Sequence, residues 1–424
     1  MIALSVGCSA SHNTDAGVDA GLNSGIDSGV DDGGDGGSGE CAQDGYACDA
    51  DTPCCDALDQ VCDPIQNLCV FAVDGGDGGP TLPDDGAQWV DESVTAATAG
   101  LDGLTAPSPS LQLAVGAGLG AGQILIRSAD GGWSVLPGVP PAIGLYGIWA
   151  DPAGDVYAVG ELDGGGPLWL AGNVHGGLAP LNLPAQLYAD AGPVLSSLNS
   201  VIGLSPGEAI AVGTVSFLSL SPPVALHLYP DGGVAIEPLP ADDTRAYGLT
   251  GSGDGGPIYA LGSSTASSNV EVLERIGGSW TGELAFGAGN LYGIAIGPAG
   301  DVTVVGDDGN GNGRVFTFLD GGFDHFGDGG YFPLSGLPAT PPLTAVCEPS
   351  EGEFFFAASA SNQALQMLHV DGGLANGVWW SETLPAGAQS VSAIAGDGAG
   401  NFYAVGVQSC TNCAGGPLAM RRVP

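Results

Sequence analysis

Lysine is absent from this sequence. Six arginines face 47 aspartates and glutamates, for a formal net charge of −41 at pH 7. Such a deficit of cations argues against a nucleic-acid surface, because a phosphate backbone would be repelled. It argues against direct adsorption to anionic lipid on the same ground. Solubility outside the cell accounts for the acid excess, and cationic partners or divalent metals stay compatible with it. Long helices are excluded by another imbalance. The 76 glycines and 30 prolines oppose helix interiors. Glycine has no three-residue period, so a collagen helix is excluded as well. The sequence also lacks a nucleophile elbow, an HExxH helix and a phosphate loop.

What the chain does contain is a repeat. LYGIWADPAGDVYAVG at 145–160 returns as LYGIAIGPAGDVTVVG at 291–306 and VSAIAGDGAGNFYAVG at 391–406. Weaker copies end at Gly116, Gly213 and Gly262, and a degenerate FFFAAS puts Ser359 in the glycine place. The seven anchors stand 44 to 53 residues apart. A period of that size, built from short strands, predicts an all-β, seven-bladed β-propeller over 88–424. Each copy reads as four strands. The second ends in glycine, which suits a close backbone approach. The third runs into a Gly-Gly turn such as Gly131-Gly132 or Gly321-Gly322. The last copy lacks its fourth strand. An orphan strand, QWVDESV at 88–94, is expected to supply it and so to close the ring.

The best copy resembles repeats of bacterial surface and secreted propellers, which read roughly WGxxxxDVWAVG. The match runs through Gly147, Trp149, Asp155, Val156, Tyr157, Ala158, Val159 and Gly160. That resemblance implies an architecture and carries no chemistry.

Ahead of the repeats the chain falls into four short segments. Residues 1–8, MIALSVGC, form a truncated signal-like stretch that resembles a bacterial lipoprotein cleavage site. The resemblance implies lipid on Cys8. Ser5 replaces the favoured leucine, and no basic n-region precedes it. Residues 9–40 are a glycine-aspartate linker, with Asp15, Asp19, Asn23, Asp27 and Asp31 every four residues. Such a segment buries too little apolar surface to order itself, so disorder is expected. Residues 41–70 hold Cys41, Cys48, Cys54, Cys55, Cys62 and Cys69. A segment so short has almost no core, which predicts a disulfide-rich module and an oxidising compartment. The adjacent central pair resembles inhibitor-cystine-knot domains, and this implies Cys41–Cys55, Cys48–Cys62 and Cys54–Cys69. Zinc is poorly served, because the segment has no histidine. Residues 71–87 are a second acidic linker.

Candidate chemistry within the repeats is sparse. Cys347 reads as a buried free thiol, and Cys410 with Cys413 as a disulfide clasping a loop. Asp308, Asn310, Asn312 and Gly313 copy the opening of a calcium loop. Turn propensity explains them without a metal, so no metal or other cofactor is assigned. His175, His227 and His369 fall on different blades, where local hydrogen bonding is expected. Arg127, Arg245, Arg275 and Arg314 are one to a blade, which gives no arginine cluster of the sialidase kind, and Arg421 and Arg422 fall in the last blade. SADGGW at 128–133 is a fragment of an Asp-box turn. Tyr146, Tyr247 and Tyr292 share a place near blade starts and read as core or channel-mouth residues.

These observations favour a non-catalytic lipoprotein of a bacterial cell envelope, anchored to the outer membrane or extracellular. Its propeller would bind a protein or glycan at one face, a rigid scaffold for display loops. A glycan hydrolase or lyase at the channel, and a structural envelope-assembly protein, are the alternatives.

Overall fold

The computed structural model describes residues 60–62, 69–71 and most of 87–423, with breaks at 93, 95–99, 118–121, 141, 164, 188–195, 216–222, 241–242, 252–255, 265–269, 287–288, 319–330, 333–340, 360–363, 375–377 and 410–415. Contacts divide the chain into a smaller unit, His12–Asp85, and a larger one that contains Gly86–Pro424.

In the smaller unit, strand Gln60–Cys62 pairs antiparallel with Cys69–Phe71, and Cys62 stands opposite Cys69 in the register. The expectation of a cystine-knot-like module is corrected here. What is described is a two-stranded ladder, held by backbone pairing, with no disulfide-rich module among the described residues. Cysteine density says that crosslinks could replace a core, and it does not by itself establish them. Cys41, Cys48, Cys54 and Cys55 lie outside the described residues, as do Cys8, Cys410, Cys413 and both expected linkers apart from residues 71 and 87.

The larger unit is the expected all-β ring. Seven sheets of four antiparallel strands follow one another, six of them simple meanders. Blade one runs through Leu101–Ser108, Leu111–Ala117, Gly122–Arg127 and Trp133–Val135. Blade three runs through Ser196–Ser205, Glu208–Val215, Pro223–Leu228 and Val234–Glu237. Blade seven is composite. Ala388–Gly396, Phe402–Gln408 and Gly416–Val423 receive Gln88–Asp91 as their fourth strand, with Trp89 opposite Arg422. The closure read from the orphan strand is therefore observed. First strands touch their neighbours all the way round, the seventh blade returning to the first.

Burial explains the apolar runs. One hydrophobic cluster fills each of the seven seams. In blade five, Val302 and Val304 point into the seam with blade four, and Val305 points into the seam with blade six. Both sheet faces are buried, so VTVV shows no polar alternation.

The glycine that ends the second strand is forced. A Cβ on Gly306 would stand 1.9 Å from the Asn290 carbonyl oxygen, and one on Gly160 2.0 Å from that of Gly144. The cause is a bulge in each first strand, which carries its backbone across the glycine. Blade six corrects the reading of its degenerate copy. Ala358, not Ser359, pairs with Leu343 and occupies the glycine place.

In blades one to four the turns between first and second strands, and between third and fourth, share one edge, and the first-to-second turns of the other blades take the same place. The ring thus has one face of tight turns, where the second strands begin.

Candidate functional site

The polar chemistry of the ring gathers at that tight-turn face, in the seams. One arrangement occurs three times. An arginine at the end of a third strand is the register partner of a tryptophan that opens the fourth: Arg127 with Trp133, Arg275 with Trp280, Arg422 with Trp89. Both donate to a buried glutamate from the preceding blade. Trp280 Nε1 reaches Glu237 at 2.8 Å, and Arg275 grips the same carboxylate through Nε and Nη2 at 2.8 and 2.7 Å. Trp133 Nε1 reaches Glu92 at 3.1 Å, and Arg127 grips it at 2.7 and 2.6 Å. Trp89 Nε1 and Arg422 Nε reach Glu382 at 2.5 and 2.8 Å. Bidentate arginine–carboxylate pairs of this kind are strong and directional. They clasp one blade to the next.

Blades three and six extend the clasp by a histidine. His227 lies 2.9 Å from both Glu208 and Glu237, and His369 lies 3.1 Å from both Glu353 and Glu382. Burial would lower the pKa of His369, but the two glutamates outweigh it and raise the value. The hydrogen bond from His369 holds Glu353 below the usual carboxylate range, and that from His227 does the same for Glu208. Local hydrogen bonding was expected of these histidines, and they have it.

The seam between blades seven and one departs from this scheme. Arg421 stands where the histidine stands elsewhere, and Asn401 where the outer glutamate stands. Arg421 Nε donates to Glu92 at 3.1 Å, and 34% of its side chain remains exposed. A cleft of about 630 Å³ opens here, lined by Glu92, Arg127, Asp130, Asn401, Tyr403 and Arg421 among others. The Arg127 guanidinium lies 5.3 Å from the centre of the Tyr403 ring, a cation–π contact. Burial, then nearby Asp397, raises the Tyr403 pKa, so the phenol stays protonated. The exposed Asp130 carboxylate is held down by the Ser128 hydroxyl within the SADGGW turn. The cleft therefore joins cationic donors, a carboxylate and an amide above a buried tyrosine.

Solved structures share the fold. The chain is similar to a structure titled streptogramin B lyase, with a TM-score of 0.54 and 13% identity over 80% of this chain and 97% of that one. It is equally similar to YCF48 bound to D1 peptide, at TM-score 0.54, 13% identity and the same coverage. YCF48 from Cyanidioschyzon merolae aligns at TM-score 0.54 and 11% identity over 79% of this chain and 98% of that one. At these identities the likeness establishes the propeller fold alone. No family model and no curated protein matches the chain.

The other candidate residues are dispersed, although Arg245 and Arg275, expected on separate blades, both belong to blade four. The Asp308 carboxylate accepts from the backbone amides of Asn310 and Asn312 and from the Asn312 side chain, and Arg314 lies 3.5 Å away. Its oxygens are thereby committed to an Asx turn. Tyr146 and Tyr292 donate to Glu161 and Asp307 at the opposite ends of their blades, and Tyr247 packs in the seam of blades four and five. Burial, with Glu161 close by, pushes Tyr146 up to about 12. His175 is exposed in a turn, while His12 and His325 lie outside the described residues. Cys347 is fully buried, but it is not the free thiol expected, since no cysteine among the described residues is free.

Proposed function

We propose that this protein is an exported, non-catalytic binding propeller that takes a protein or glycan ligand in the cleft between blades seven and one. Arg421 carries the reading. Glu92 is its hydrogen-bond partner among the described residues and engages Nε, which leaves the guanidinium fork open to the cleft. Beside it, Asp130 and Asn401 supply acceptors and an amide, a mixture that suits sugar hydroxyls or a peptide backbone. The histidine-bearing copies in blades three and six fill the same place internally, so they hold the ring together and this one meets a ligand. The similar fold in a structure titled with a bound peptide supports the peptide branch of the proposal. Export rests on the acid excess and on the lipoprotein-like start, with the bacterial envelope as destination.

The test is a glycan array and a peptide library screened with the intact protein and with Arg421→Ala. A ligand whose affinity drops at least tenfold in the variant, with thermal unfolding little changed, supports the proposal. Equal binding by the variant overturns the site. Turnover of a bound glycan overturns the non-catalytic reading, and a cytosolic product in fractionated cells overturns export.

A further inference from the structure

Blade five handles one position differently from its neighbours. The residue at the entrance to the second strand is polar in five blades, and in four of them it meets a complementary group. Asp155 accepts from Asn173 Nδ2 at 2.9 Å, Glu208 and Glu353 face histidines, and Asn401 donates to Asp397 at 2.7 Å. In blade five the residue is Asp301, and it meets another acid, Glu348 from the first strand of blade six.

Both acids are buried, at 8% and 1% exposure. Asp301 Oδ1 and Glu348 Oε2 face each other, and neither has a donor among the described residues. They converge over Gly297, where an added Cβ would stand 2.6 Å from the first and 2.5 Å from the second. Two hydroxyls belong to the same neighbourhood. Thr303 follows Asp301 on the face of the strand that also carries Val305 into this seam, and Thr317 is its register partner. Both hydroxyl oxygens are buried without a partner among the described residues. Four orphaned oxygens thus line one seam.

Such a pair is costly to bury as it stands, because like charges repel most where water is excluded. Burial first, then Asp301, push the Glu348 carboxyl up to about 8. The donors are all hard oxygens, the kind that calcium and magnesium prefer over softer metals. Among the described residues fewer than three acidic or histidine ligands gather here, so hydroxyl, backbone carbonyl or water must complete the shell. A tolerance for irregular oxygen shells favours calcium over magnesium.

We propose that Asp301 and Glu348 form a buried calcium site at the seam between blades five and six, with the Thr303 hydroxyl as a further donor. The ion would bridge two neighbouring blades at a seam where the carboxylates otherwise oppose closure. The site is separate from the ligand cleft and does not depend on it.

The test uses the intact protein, stripped of metal by chelation and held at high ionic strength so that its acidic surface binds little. Calcium chloride is titrated by calorimetry, with thermal unfolding in parallel and sensitised terbium luminescence as a second probe. Wild type is expected to show one saturable site and a raised unfolding temperature. Glu348→Gln, close in shape to the protonated acid, and Asp301→Asn are each expected to weaken binding at least tenfold. Glu351→Gln removes an exposed charge nearby and should retain the site, which separates ligation from surface charge. If Asp301→Asn fails to fold, Glu348→Gln decides, with near-ultraviolet circular dichroism confirming its structure. A wild-type protein indifferent to calcium overturns the proposal in favour of a proton shared by the two acids. Binding undiminished in Glu348→Gln overturns it as well.

Discussion

His369 sits between Glu353 and Glu382, with Arg422 beyond and the Phe355 and Trp380 rings against its faces. Its pKa in the folded ring is raised above the ordinary 6.5. The stability it contributes is therefore complete below pH 6.5 and is lost as pH rises through the folded value. Glu353 works in the opposite sense. Its pKa is depressed, so its contribution is present above the usual carboxylate range and is lost as pH falls through the folded value. Stability should accordingly peak on the acidic side of neutrality. Denaturant unfolding measured from pH 5 to 9 should show a decline on the alkaline side, and His369→Gln should flatten that decline. An unchanged slope in the variant would assign it elsewhere. At this scale the sequence was only partly legible. The glycine anchors showed plainly, because one steric demand recurs at Gly116, Gly160, Gly213, Gly306 and Gly406. The degenerate copy was misplaced by one residue, because blade six admits an alanine, Ala358, at the glycine place.

The closing strand Gln88–Asp91 is the element on which the ring depends. Trp89 is 2% exposed, packs edge-on against Phe355, and gives its indole N–H to Glu382 in blade six. Trp89→Ala should cost about 4 kcal/mol, as large core truncations do. Trp89→Phe keeps most of the packing and leaves a buried carboxylate short of one donor, so its cost should be about 1–3 kcal/mol. Denaturant midpoints for the two variants check the order, and a loss in Trp89→Phe as large as in Trp89→Ala would mean that the hydrogen bond dominates. Trp89 was legible as the missing fourth-strand opener. The clasp it belongs to was not. Arg127 precedes Trp133, and Arg275 precedes Trp280, at nearly equal spacing, which is a signal that sequence could have yielded. The third pair is split between Arg422 and Trp89 at the two ends of the ring, and the glutamate always comes from another blade. Such a pattern becomes visible only when register is known.

Across the whole molecule, the excess of acids sets a general repulsion against seven apolar seams. Raising salt from about 0.01 to about 1 M shortens the screening length from about 30 Å to about 3 Å. The clasps are buried and little affected, whereas the surface repulsion is relieved. The unfolding temperature of metal-free protein in sodium chloride is expected to rise over this range, and a fall would mean that exposed ion pairs outweigh the repulsion. The number of blades and the closure were legible because each repeat buries both sheet faces and so writes its strands in apolar runs. The cleft between blades seven and one was not, since Asn401 and Arg421 acquire meaning only by contrast with Glu353 and His369 at the same register.

Blade seven takes its fourth strand from residues 88–91 and its other three from 388–423. A chain that emerges amino end first can assemble six blades while that early strand still has nothing to pair with. The ring is completed only when Gly416–Val423 arrives. The cleft is made of Glu92, Arg127, Asn401 and Arg421, so it comes into being at that same moment. Under the proposed function, a chain that stops short of that strand would have no site to offer a ligand.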